Sequence, residues 1–448
     1  MRYRYREENE MKDSGVEWLG KIPKDWEVKR NRHIFDFRRR EVNESEDTTV
    51  LSLTTSGVKI KEDLSFGKST ESYIGHQLVY PGDIVFTPRD FDQTPILSGV
   101  SKYYGCISNL YFVLKCKSNI SNYFVDYFWW GLKYKVDFFK NFSYGIRYGY
   151  NYDQFKDLLF LNPSYIEQEK IANFLDKKTS QFDLIISKKE ELIQRLEEAK
   201  KSLISEVVTG KVKVVKSDDG YELVKRSSEE MKDSKVEWLG DIPKDWDVKR
   251  LRFLGKLQNG ISKSSDQFGF GYPFISYGNV YKNIELPQSV EGLVNSTDEE
   301  RNIYSVKEND VFFTRTSETV EEIGFASTCM KSIENATFAG FLIRFRPNDE
   351  RLYKGFSKYY FRCDLNRKYF VKEMNLVTRA SLSQNLLNNL AVTLPKYEEQ
   401  IDIYNALEIK IGGVNLAIEK LKYQIEKLKE AKQSLISEAV TGKIEILY

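Results

Sequence analysis

The chain contains the same two sequence segments twice, and this duplication limits the folds it can adopt. Residues 11–32 (MKDSGVEWLGKIPKDWEVKRNR) and 231–252 (MKDSKVEWLGDIPKDWDVKRLR) agree at eighteen of twenty-two positions. Residues 197–211 (EEAKKSLISEVVTGK) and 429–443 (KEAKQSLISEAVTGK) agree at twelve of fifteen. The period of 220 residues (231 minus 11) is that of a domain and not of a solenoid repeat. The sequence therefore predicts two copies of one unit, each opening with the Trp-rich segment and closing with the charged one.

The closing segment of each copy predicts a long helix. Residues 167–208 contain neither Gly nor Pro, and at ~1.5 Å per residue they would form a rod of roughly 60 Å. Apolar residues alternate at spacings of three and four, as in a coiled coil, so each rod needs a partner helix. In the second rod, 398–440, the pair Gly412-Gly413 predicts a kink or break. The stripe comprises Ile171, Leu175, Phe182, Ile185, Leu192, Leu196, Ala199 and Leu203, and then Ile403, Leu407, Val414, Ala417, Leu421, Leu428, Ala431 and Leu435.

A second apolar row runs beside this stripe on both rods. Two helices facing each other need one stripe each, so a wider stripe indicates a bundle with helices from another chain. The alternative, about equally supported by the sequence, is a broad stripe that packs on the globular domains. The predicted partner-binding residues are Ile186, Ile193, Ile411, Ile418 and Ile425.

The remaining segments predict mixed α/β (α+β) domains. Short β-rich runs between Gly, Asn, Ser and Pro turns fill most of the first copy, with one aromatic helix at 122–142. Residues 1–10 are polar and are expected to be frayed. The predicted divisions are a first domain at 1–163, a helix at 164–211, a polar connector at 212–230, a second domain at 231–395 and a second helix at 396–448.

Composition disfavours metal, disulfide and membrane classes. The four Cys and two His residues show no paired metal-ligand spacing. We expect no metal site, no catalytic site, no disulfide framework and a cytoplasmic location. The N-terminus has no apolar core of a signal peptide, and no apolar run approaches the length of a membrane span. The net charge of +2 does not by itself indicate a nucleic-acid partner.

One part of the first copy does have the composition of a nucleic-acid surface. Residues 99–156 contain eight basic, three acidic and nineteen aromatic residues, and such surfaces combine cations for phosphates with groups that read bases. Core packing explains the aromatic helix better, but Gly145 and Gly149 predict an exposed turn around Arg147. Arg379 holds the matching position in the second copy, which favours contact with the DNA backbone over base reading. The predicted DNA-contacting residues are Arg89, Lys102, Lys140, Arg147, Tyr148, Tyr150, Thr314, Arg315, Thr316, Lys372 and Arg379.

The two copies differ most between their opening segment and their aromatic helix. The offset is 220 residues at the Trp-rich segments but 232 from the helix onward, so the middle differs in length by twelve residues as well as in sequence. A constant frame around different inserts is typical of a protein that reads two different targets. Drift after duplication is the alternative.

Several of these strings resemble a known family. VEWLGKIPKDWEVKR, SLISEVVTGK, PSYIEQEKIANFL, GDIVFTPR and DVFFTRT are similar to the repeats of the specificity subunit of type I restriction-modification enzymes. The resemblance covers residues 11–446. Within it, the first copy reads Thr87-Pro88-Arg89 where the second reads Thr314-Arg315-Thr316.

The resemblance implies a definite architecture and set of partners. It implies two target-recognition domains joined by two long antiparallel helices with a pseudo-two-fold repeat, each domain reading one half of a split site in double-stranded DNA. It also implies that the helices dock modification (methyltransferase) subunits, two of them, and that the complex engages ATP-driven restriction subunits. S-adenosylmethionine, ATP and Mg would then be bound by those partners and not by this chain.

Two other functions remain open from the sequence. A self-sufficient DNA methyltransferase or endonuclease is one, because Asn162-Pro163-Ser164-Tyr165 is close to the tetrapeptide with which adenine methyltransferases hold a base. The second copy reads Leu394-Pro395-Lys396-Tyr397, without the Asn, and no phosphate-binding GxxxxGK[ST] loop is present. A coiled-coil assembly protein without a DNA function is the other. The non-catalytic DNA-reading protein agrees best with the repeated frame.

Overall fold

The computed structural model forms two compact units. The first unit comprises residues 1–190 and 421–448, and the second unit comprises residues 191–420. Both long helices therefore begin in one unit and end in the other. The structure describes residues 2–36, 41–62, 72–91, 95–143, 145, 148–218, 220–317, 323–373 and 380–447.

The secondary structure is mixed, with short strands between helices. The elements up to the first long helix are β1 (Arg2–Tyr5), β2 (Met11–Asp13), β3 (Lys21–Pro23), β4 (Glu27–Arg30), β5 (Phe35–Asp36), β6 (Leu51–Thr54), β7 (Gly57–Ile60), β8 (Gln77–Val79), β9 (Ile84–Phe86), β10 (Ser98–Val100), β11 (Gly105–Ile107), β12 (Phe112–Cys116), α1 (Asn122–Val136), α2 (Phe138–Asn141), α3 (Tyr152–Asp157), β13 (Leu159–Asn162) and α4 (Tyr165–Val208). The elements after it are β14 (Val212–Ser217), β15 (Gly220–Lys225), β16 (Met231–Asp233), β17 (Asp241–Pro243), β18 (Asp247–Arg250), β19 (Gly255–Asn259), β20 (Phe268–Ile275), α5 (Tyr277–Lys282), β21 (Leu293–Val294), α6 (Asp298–Ile303), β22 (Val311–Thr314), β23 (Thr316–Ser317), β24 (Ala326–Thr328), β25 (Thr337–Phe338), β26 (Leu342–Pro347), α7 (Lys354–Tyr360), α8 (Asp364–Glu373), β27 (Ala380–Ser381), α9 (Gln384–Asn389), β28 (Ala391–Leu394), α10 (Tyr397–Val440) and β29 (Ile444–Leu447).

Each unit contains a four-stranded antiparallel sheet, and the strand order is the same in both. The first unit has the order β10-β9-β12-β5, and the second has β24-β22-β26-β19. Phe86 in β9 pairs with Phe112 in β12, and Phe313 in β22 pairs with Ile343 in β26. Reading each sheet from β10 or from β24 therefore gives strands in the same relative chain order.

Aromatic packing fixes the core of the first unit. Helix α1 begins after Ser121, whose hydroxyl accepts the Phe124 N–H, and ends at Asp137 in the left-handed region. Its Trp129 ring lies 4.9 Å from the ring of Phe86, centroid to centroid, so the helix packs its aromatic face on the sheet. The aromatic helix is a core element here, as the packing interpretation of its sequence expected.

The second unit buries both faces of its central strand β22. Side chains alternate across a strand, and Phe312 packs on Phe338 at a centroid distance of 5.0 Å while Phe313 packs on Phe361 at 5.6 Å. The two rings belong to separate hydrophobic clusters. This strand therefore has a fixed position between two layers, which holds the residues at its end in place.

The Trp-rich opening segments pack against the ends of the long helices. In the first unit, a Cβ on Gly442 would lie 2.4 Å from the Pro23 ring and 3.2 Å from Trp26, and in the second unit a Cβ on Gly210 would lie 2.3 Å from Pro243. Both glycines have positive φ (+73° and +76°), so no other residue fits without strain. The closing segment of one copy thus packs on the opening segment of the other copy.

The terminal strands correct one prediction. Residues 2–5 are not frayed: β1 pairs with β29 in antiparallel register, Arg2 opposite Leu447. Within the predicted connector, β14 and β15 form a hairpin with Val212 opposite Lys225. By the offsets of 220 and 232, β1 corresponds to β15 and β29 corresponds to β14. The same strand pair is therefore made once by neighbouring segments and once by the two ends of the chain.

The long helices pack on each other within each unit. In the first unit, Asp183 accepts from Lys432 Nζ at 2.6 Å and Lys189 Nζ donates to Gln424 at 2.7 Å, so numbers rise on α4 as they fall on α10 and the helices are antiparallel. In the second unit, Lys200 Nζ donates to Asn415 at 2.8 Å. The break expected at Gly412-Gly413 is absent, because α10 is continuous from Tyr397 to Val440, and the alternative of a kink stays a prediction. No heavy atom lies within 4 Å of where a Cβ on either glycine would be, so neither glycine is needed for a close approach.

The predicted partner-binding row is buried by the chain itself. Ile411, Ile418 and Ile425 are each 5% exposed, and Ile186 and Ile193 are half-buried. In contrast, several positions of the predicted seam or beside it are exposed. These exposed apolar residues are Leu184, Ile185 and Leu192 on α4 and Ile409, Leu416 and Tyr423 on α10. The predicted seam is also buried at Ile403 and Leu407, so both apolar rows of α10 face the interior there, whereas the seam positions Ile185 and Leu192 on α4 are exposed.

The equivalence of the two strand pairs predicts that the chain tolerates circular permutation. We expect a variant with residue 447 linked to residue 2 by a short Gly-Ser segment, and opened between Asp218 and Gly220, to fold. A new hairpin would replace the terminal pair, and a terminal pair would replace the hairpin. Circular dichroism should show one thermal transition close to that of the natural chain. A permutant opened at Val85, inside the central sheet, is the control that should not fold, and failure of both variants would contradict the equivalence.

Candidate nucleic-acid interface

Two loops cross at the end of strand β9 in the first unit. Thr87 extends the pairing of β9 with the β10 segment by donating its N–H to Leu97 O at 2.8 Å. Tyr150 N–H donates to Pro88 O at 2.8 Å. A Cβ on Gly149 would lie 2.8 Å from Pro88 O and 3.1 Å from the Arg89 Cβ. The glycine therefore allows the segment 148–150 to pass directly against the backbone of the arginine loop.

The second unit has the same crossing at the end of strand β22. Thr314 N–H donates to Phe325 O at 2.9 Å, and Leu382 N–H donates to Arg315 O at 2.7 Å. Because 382 minus 150 equals the repeat offset of 232, Arg315 occupies the position of Pro88 and not that of Arg89. Pro88 thus shifts the arginine of the first unit: Arg89 comes one residue after the crossing point, whereas Arg315 lies at the crossing point of the second unit.

An open cavity of about 700 Å³ lies beside the first crossing. Arg89 is half-buried at its wall, and its charge reaches Tyr111, whose pKa is raised by burial and lowered in part by the arginine. The walls combine one cation with amide side chains and small backbone segments. The lining residues are Pro88, Arg89, Asn109, Leu110, Phe112, Gly145, Gly149, Tyr150, Asn151 and Gln154. Such a surface can contact phosphates with its cation and base edges with its amides.

Two other predicted residues lie on this side of the first unit. Tyr148 is exposed at the crossing, with φ of +43° and its N–H bonded to Gly145 O at 3.2 Å. Lys140 is exposed at the end of α2, next to Phe139, whose ring packs 5.4 Å from the ring of Phe91 in the arginine loop. Both side chains are therefore exposed to solvent.

Lys102 lies elsewhere. It is exposed after β10, where Ser101 N–H donates to Asp83 O at 2.8 Å. Asp83 precedes β9 and Arg89 follows it, so the strand separates the two cations. The structure does not bring Lys102 to the crossing.

Two predicted contacts are wrong because their side chains are buried. Tyr150 is 5% exposed, and its hydroxyl donates to Phe142 O at 2.9 Å. Thr314 is fully buried, and its Oγ1 accepts the Phe325 N–H at 2.9 Å. Both residues hold the crossing together instead of facing a ligand. Alternation along the chain, which the sequence does not resolve in a loop, leaves Tyr148 exposed and Arg315 half-buried instead.

Four predicted residues cannot be placed in full. Arg147 and Arg379 lie outside the described residues, so their assignment stays a prediction. Thr316 is in β23, where its backbone pairs with Ser381, and Lys372 is in α8. The side chains of these last two also lie outside the described part.

The methyltransferase-like tetrapeptide has a structural role in both copies. Gln168 Nε2 donates to Pro163 O at 2.9 Å, and Gln400 Nε2 donates to Pro395 O at 3.0 Å. Each glutamine is buried and connects the start of its long helix to the strand before that helix, β13 in the first unit and β28 in the second. The string at 162–165 therefore forms a strand-to-helix junction, which the copy at 394–397 forms without the Asn.

No metal or membrane feature accompanies the crossings. Within the described ranges, no group of three or more His, Cys, Asp or Glu side chains could hold a metal ion, and all four Cys are free. Among the helices that the structure describes, none has both the length and the apolar composition of a membrane span. The amides at the first crossing were missed from the sequence, because isolated Asn and Gln residues are common in turns.

Comparisons with known proteins point to one family. The family model "Type I restriction modification DNA specificity domain" matches residues 243–427. Over these residues the chain is therefore similar to a type I restriction-modification DNA specificity domain. It is 23% identical to the putative type I restriction enzyme MjaX specificity subunit of Methanocaldococcus jannaschii, over 99% of this chain and 98% of that protein. It is 24% identical to the MjaVIII specificity subunit of the same organism, over 99% and 97%.

Solved structures share the fold over most of the chain. One chain, from a structure described as the basis of complex assembly and conformational transition of the type I R-M system, has a TM-score of 0.66 at 15% identity and covers 94% of this chain and 99% of its own. The HsdS subunit of Thermoanaerobacter tengcongensis has a TM-score of 0.50 at 15% identity, over 94% and 98%. The resemblance stated from the repeated strings is confirmed. The prediction that the chain is a specificity component and not an enzyme agrees with the relatives' names.

The two crossings predict which cations matter for duplex binding. We expect Arg89→Ala and Arg315→Ala each to weaken affinity for double-stranded DNA. If the lost contact is to a phosphate, the slope of log affinity against log salt should fall by about 0.9. Lys102→Ala removes the same charge at the other end of β9 and should leave the affinity unchanged. Fluorescence anisotropy over a salt series measures both, and equal losses in the Arg89 and Lys102 variants would refute the placement.

Proposed function

We propose that the chain is the specificity subunit of a type I restriction-modification complex and that each unit reads one half of a bipartite DNA target. The observation that carries this proposal is the repeated crossing: both units have a Thr at the end of a central strand, pass a second segment across it and place a half-buried arginine there. The family match and the names of the relatives support the same role.

Differences between the units support the reading of two different half-sites. The first unit adds the β6-β7 hairpin and the β8-β11 pair to its sheet, whereas the second adds a sheet of β21, β20 and β25 with the short helices α5 and α6. These additions fall in the part of the repeat that differs in length and sequence. A constant sheet with different additions would place different side chains at equivalent points of DNA.

The long helices would connect the two DNA-reading units to the catalytic subunits of the complex. We propose that they form an antiparallel coiled coil with a pseudo-two-fold repeat and that their exposed apolar residues dock two modification subunits. Restriction subunits would join the same complex. S-adenosylmethionine would bind to the modification subunits, and ATP and Mg to the restriction subunits. A DNA-reading role of this kind places the complex in the cytoplasm.

Two residues on opposite faces of α10 test the docking proposal. Leu416 is 73% exposed and Ile418 is 5% exposed. Leu416→Glu should prevent co-purification of the modification subunit while leaving the thermal unfolding of this chain unchanged. Ile418→Glu should instead destabilise the chain, because loss of a buried isoleucine alone costs about 2–5 kcal/mol and a buried carboxylate adds to that cost. Normal assembly of the Leu416→Glu variant would exclude this face as the docking surface.

The helices should also set the distance between the half-sites. Duplicating Leu196 to Ala199 adds ~6 Å of helix and keeps the apolar stripe nearly in phase, since four residues are close to one turn. At ~3.4 Å per base pair, the unread spacer should change by about one or two pairs with both half-sites unchanged. Inserting the same four residues in the hairpin turn at Asp218 and Gly220 is the control, with no expected shift. Methylation mapping of the assembled variants gives the answer, and an unchanged spacer in an active complex would reject the helices as the ruler.

A further inference from the structure

Two amide side chains pair with each other beside the second crossing. Gln384 Nε2 donates to Asn259 Oδ1 at 3.0 Å. Gln384 is the first residue of α9, and Ser383 caps that helix by accepting the Leu386 N–H at 3.0 Å. Leu382, two residues earlier, is bonded to Arg315 through its N–H. The helix cap and the crossing together fix the position of the glutamine next to the arginine.

Asn259 reaches the same place from the sheet. It ends β19 opposite Ile343 of β26. The next residue, Gly260, approaches so closely that a Cβ on it would lie 2.1 Å from Phe338 O. Phe341, which accepts the Arg315 N–H at 3.0 Å through its carbonyl, has its ring 65% exposed. The crossing therefore combines an arginine, an amide pair and an exposed aromatic residue from four neighbouring segments.

The amide pair presents one acceptor and one donor. Their mutual bond uses the amino group of Gln384 and the carbonyl of Asn259, which leaves Gln384 Oε1 and Asn259 Nδ2. In the part of the chain that the structure describes, neither atom has a protein partner. Both side chains are half-buried, so their packing limits their movement. An acceptor beside a donor complements the N6 amino group and N7 of adenine in the major groove.

We propose that Asn259 and Gln384 together read an adenine in the half-site bound by the second unit. The proposal rests on the proposed function and adds a specificity-determining pair to it. The exposed Phe341 ring favours the same base pair, because apolar side chains contact the methyl group of thymine. Arg315 lies at the crossing and contacts the adjoining part of the duplex.

The reading pair belongs to the second unit alone. The first-unit position that corresponds to Gln384 by the offset of 232 is Tyr152. Its ring packs on Phe112 at a centroid distance of 4.9 Å and so forms part of the core edge. Changes at Asn259 and Gln384 should consequently alter one half-site and leave the other unchanged.

The test uses the full chain assembled with the modification subunits of its host and a duplex pool of random sequence. Bound duplexes are sequenced for the wild type, Asn259→Ala, Gln384→Ala and Gln384→Glu. Either alanine variant should reduce the preference for adenine at one position by about 5- to 140-fold, the equivalent of ~1–3 kcal/mol per bidentate contact. Gln384→Glu keeps the shape but presents only acceptors, so it should shift that position toward cytosine, whose N4 amino group donates.

Asn348→Ala provides the matched control. Asn348 is an exposed amide that follows Pro347, at the other end of β26 from Phe341, and its loss should leave both half-sites unchanged. If the amide variants selected the same two half-sites with unchanged base preference, the amide pair would not be a reader, although the proposed function would stand. If the wild-type complex selected no sequence at all, the proposed function and this inference would both fail.

Discussion

The contact between a left-handed glycine and a proline-tryptophan pair is the interaction on which both units depend. Gly442 lies against Pro23 and Trp26, and Gly210 lies against Pro243. A half-buried carboxylate completes each contact: Glu167 accepts from Trp26 Nε1 at 2.9 Å, and in the second unit Glu399 accepts from Trp246 Nε1 at 3.0 Å. Burial raises the pKa of both carboxyl groups, whereas the indole N–H and a neighbouring arginine favour the charged form. Each junction thus holds the start of one long helix and the end of the other to the Trp-rich segment of its unit.

Because of these junctions, each unit is built from segments of both sequence copies. The closing segment of the first copy packs in the second unit, and the closing segment of the second copy packs in the first. Neither copy by itself contains a complete unit, because each needs the helix end that the other supplies. The pairing of β1 with β29 completes this exchange at the chain ends.

Local and periodic patterns were predictable from the sequence, and contacts between distant segments were not. The helix predicted at 164–211 corresponds to α4, which runs over Tyr165–Val208, because a long run without Gly or Pro can be seen in the sequence itself. The buried row, Ile411, Ile418 and Ile425, was misassigned because the neighbouring row is also apolar and has the same period. The order of the terminal residues depends on a pairing more than 440 positions apart (447 minus 2), which no local pattern reveals.

At the two crossings, likewise, the backbone contacts are shared by both units while the side chains around them differ. Thr87 and Thr314 make the same backbone bond, and a second segment crosses after each, yet the half-buried arginine is shifted by one residue between the units. Because the crossing is held by backbone hydrogen bonds and buried side chains, the outward side chains can change without loss of the sheet. Sequence repeats therefore locate the frame, while the proposed reading residues lie where the two copies differ. A search restricted to positions shared by both copies finds Arg147 and Arg379 but misses the pair of Asn259 and Gln384, which has no equivalent in the first unit.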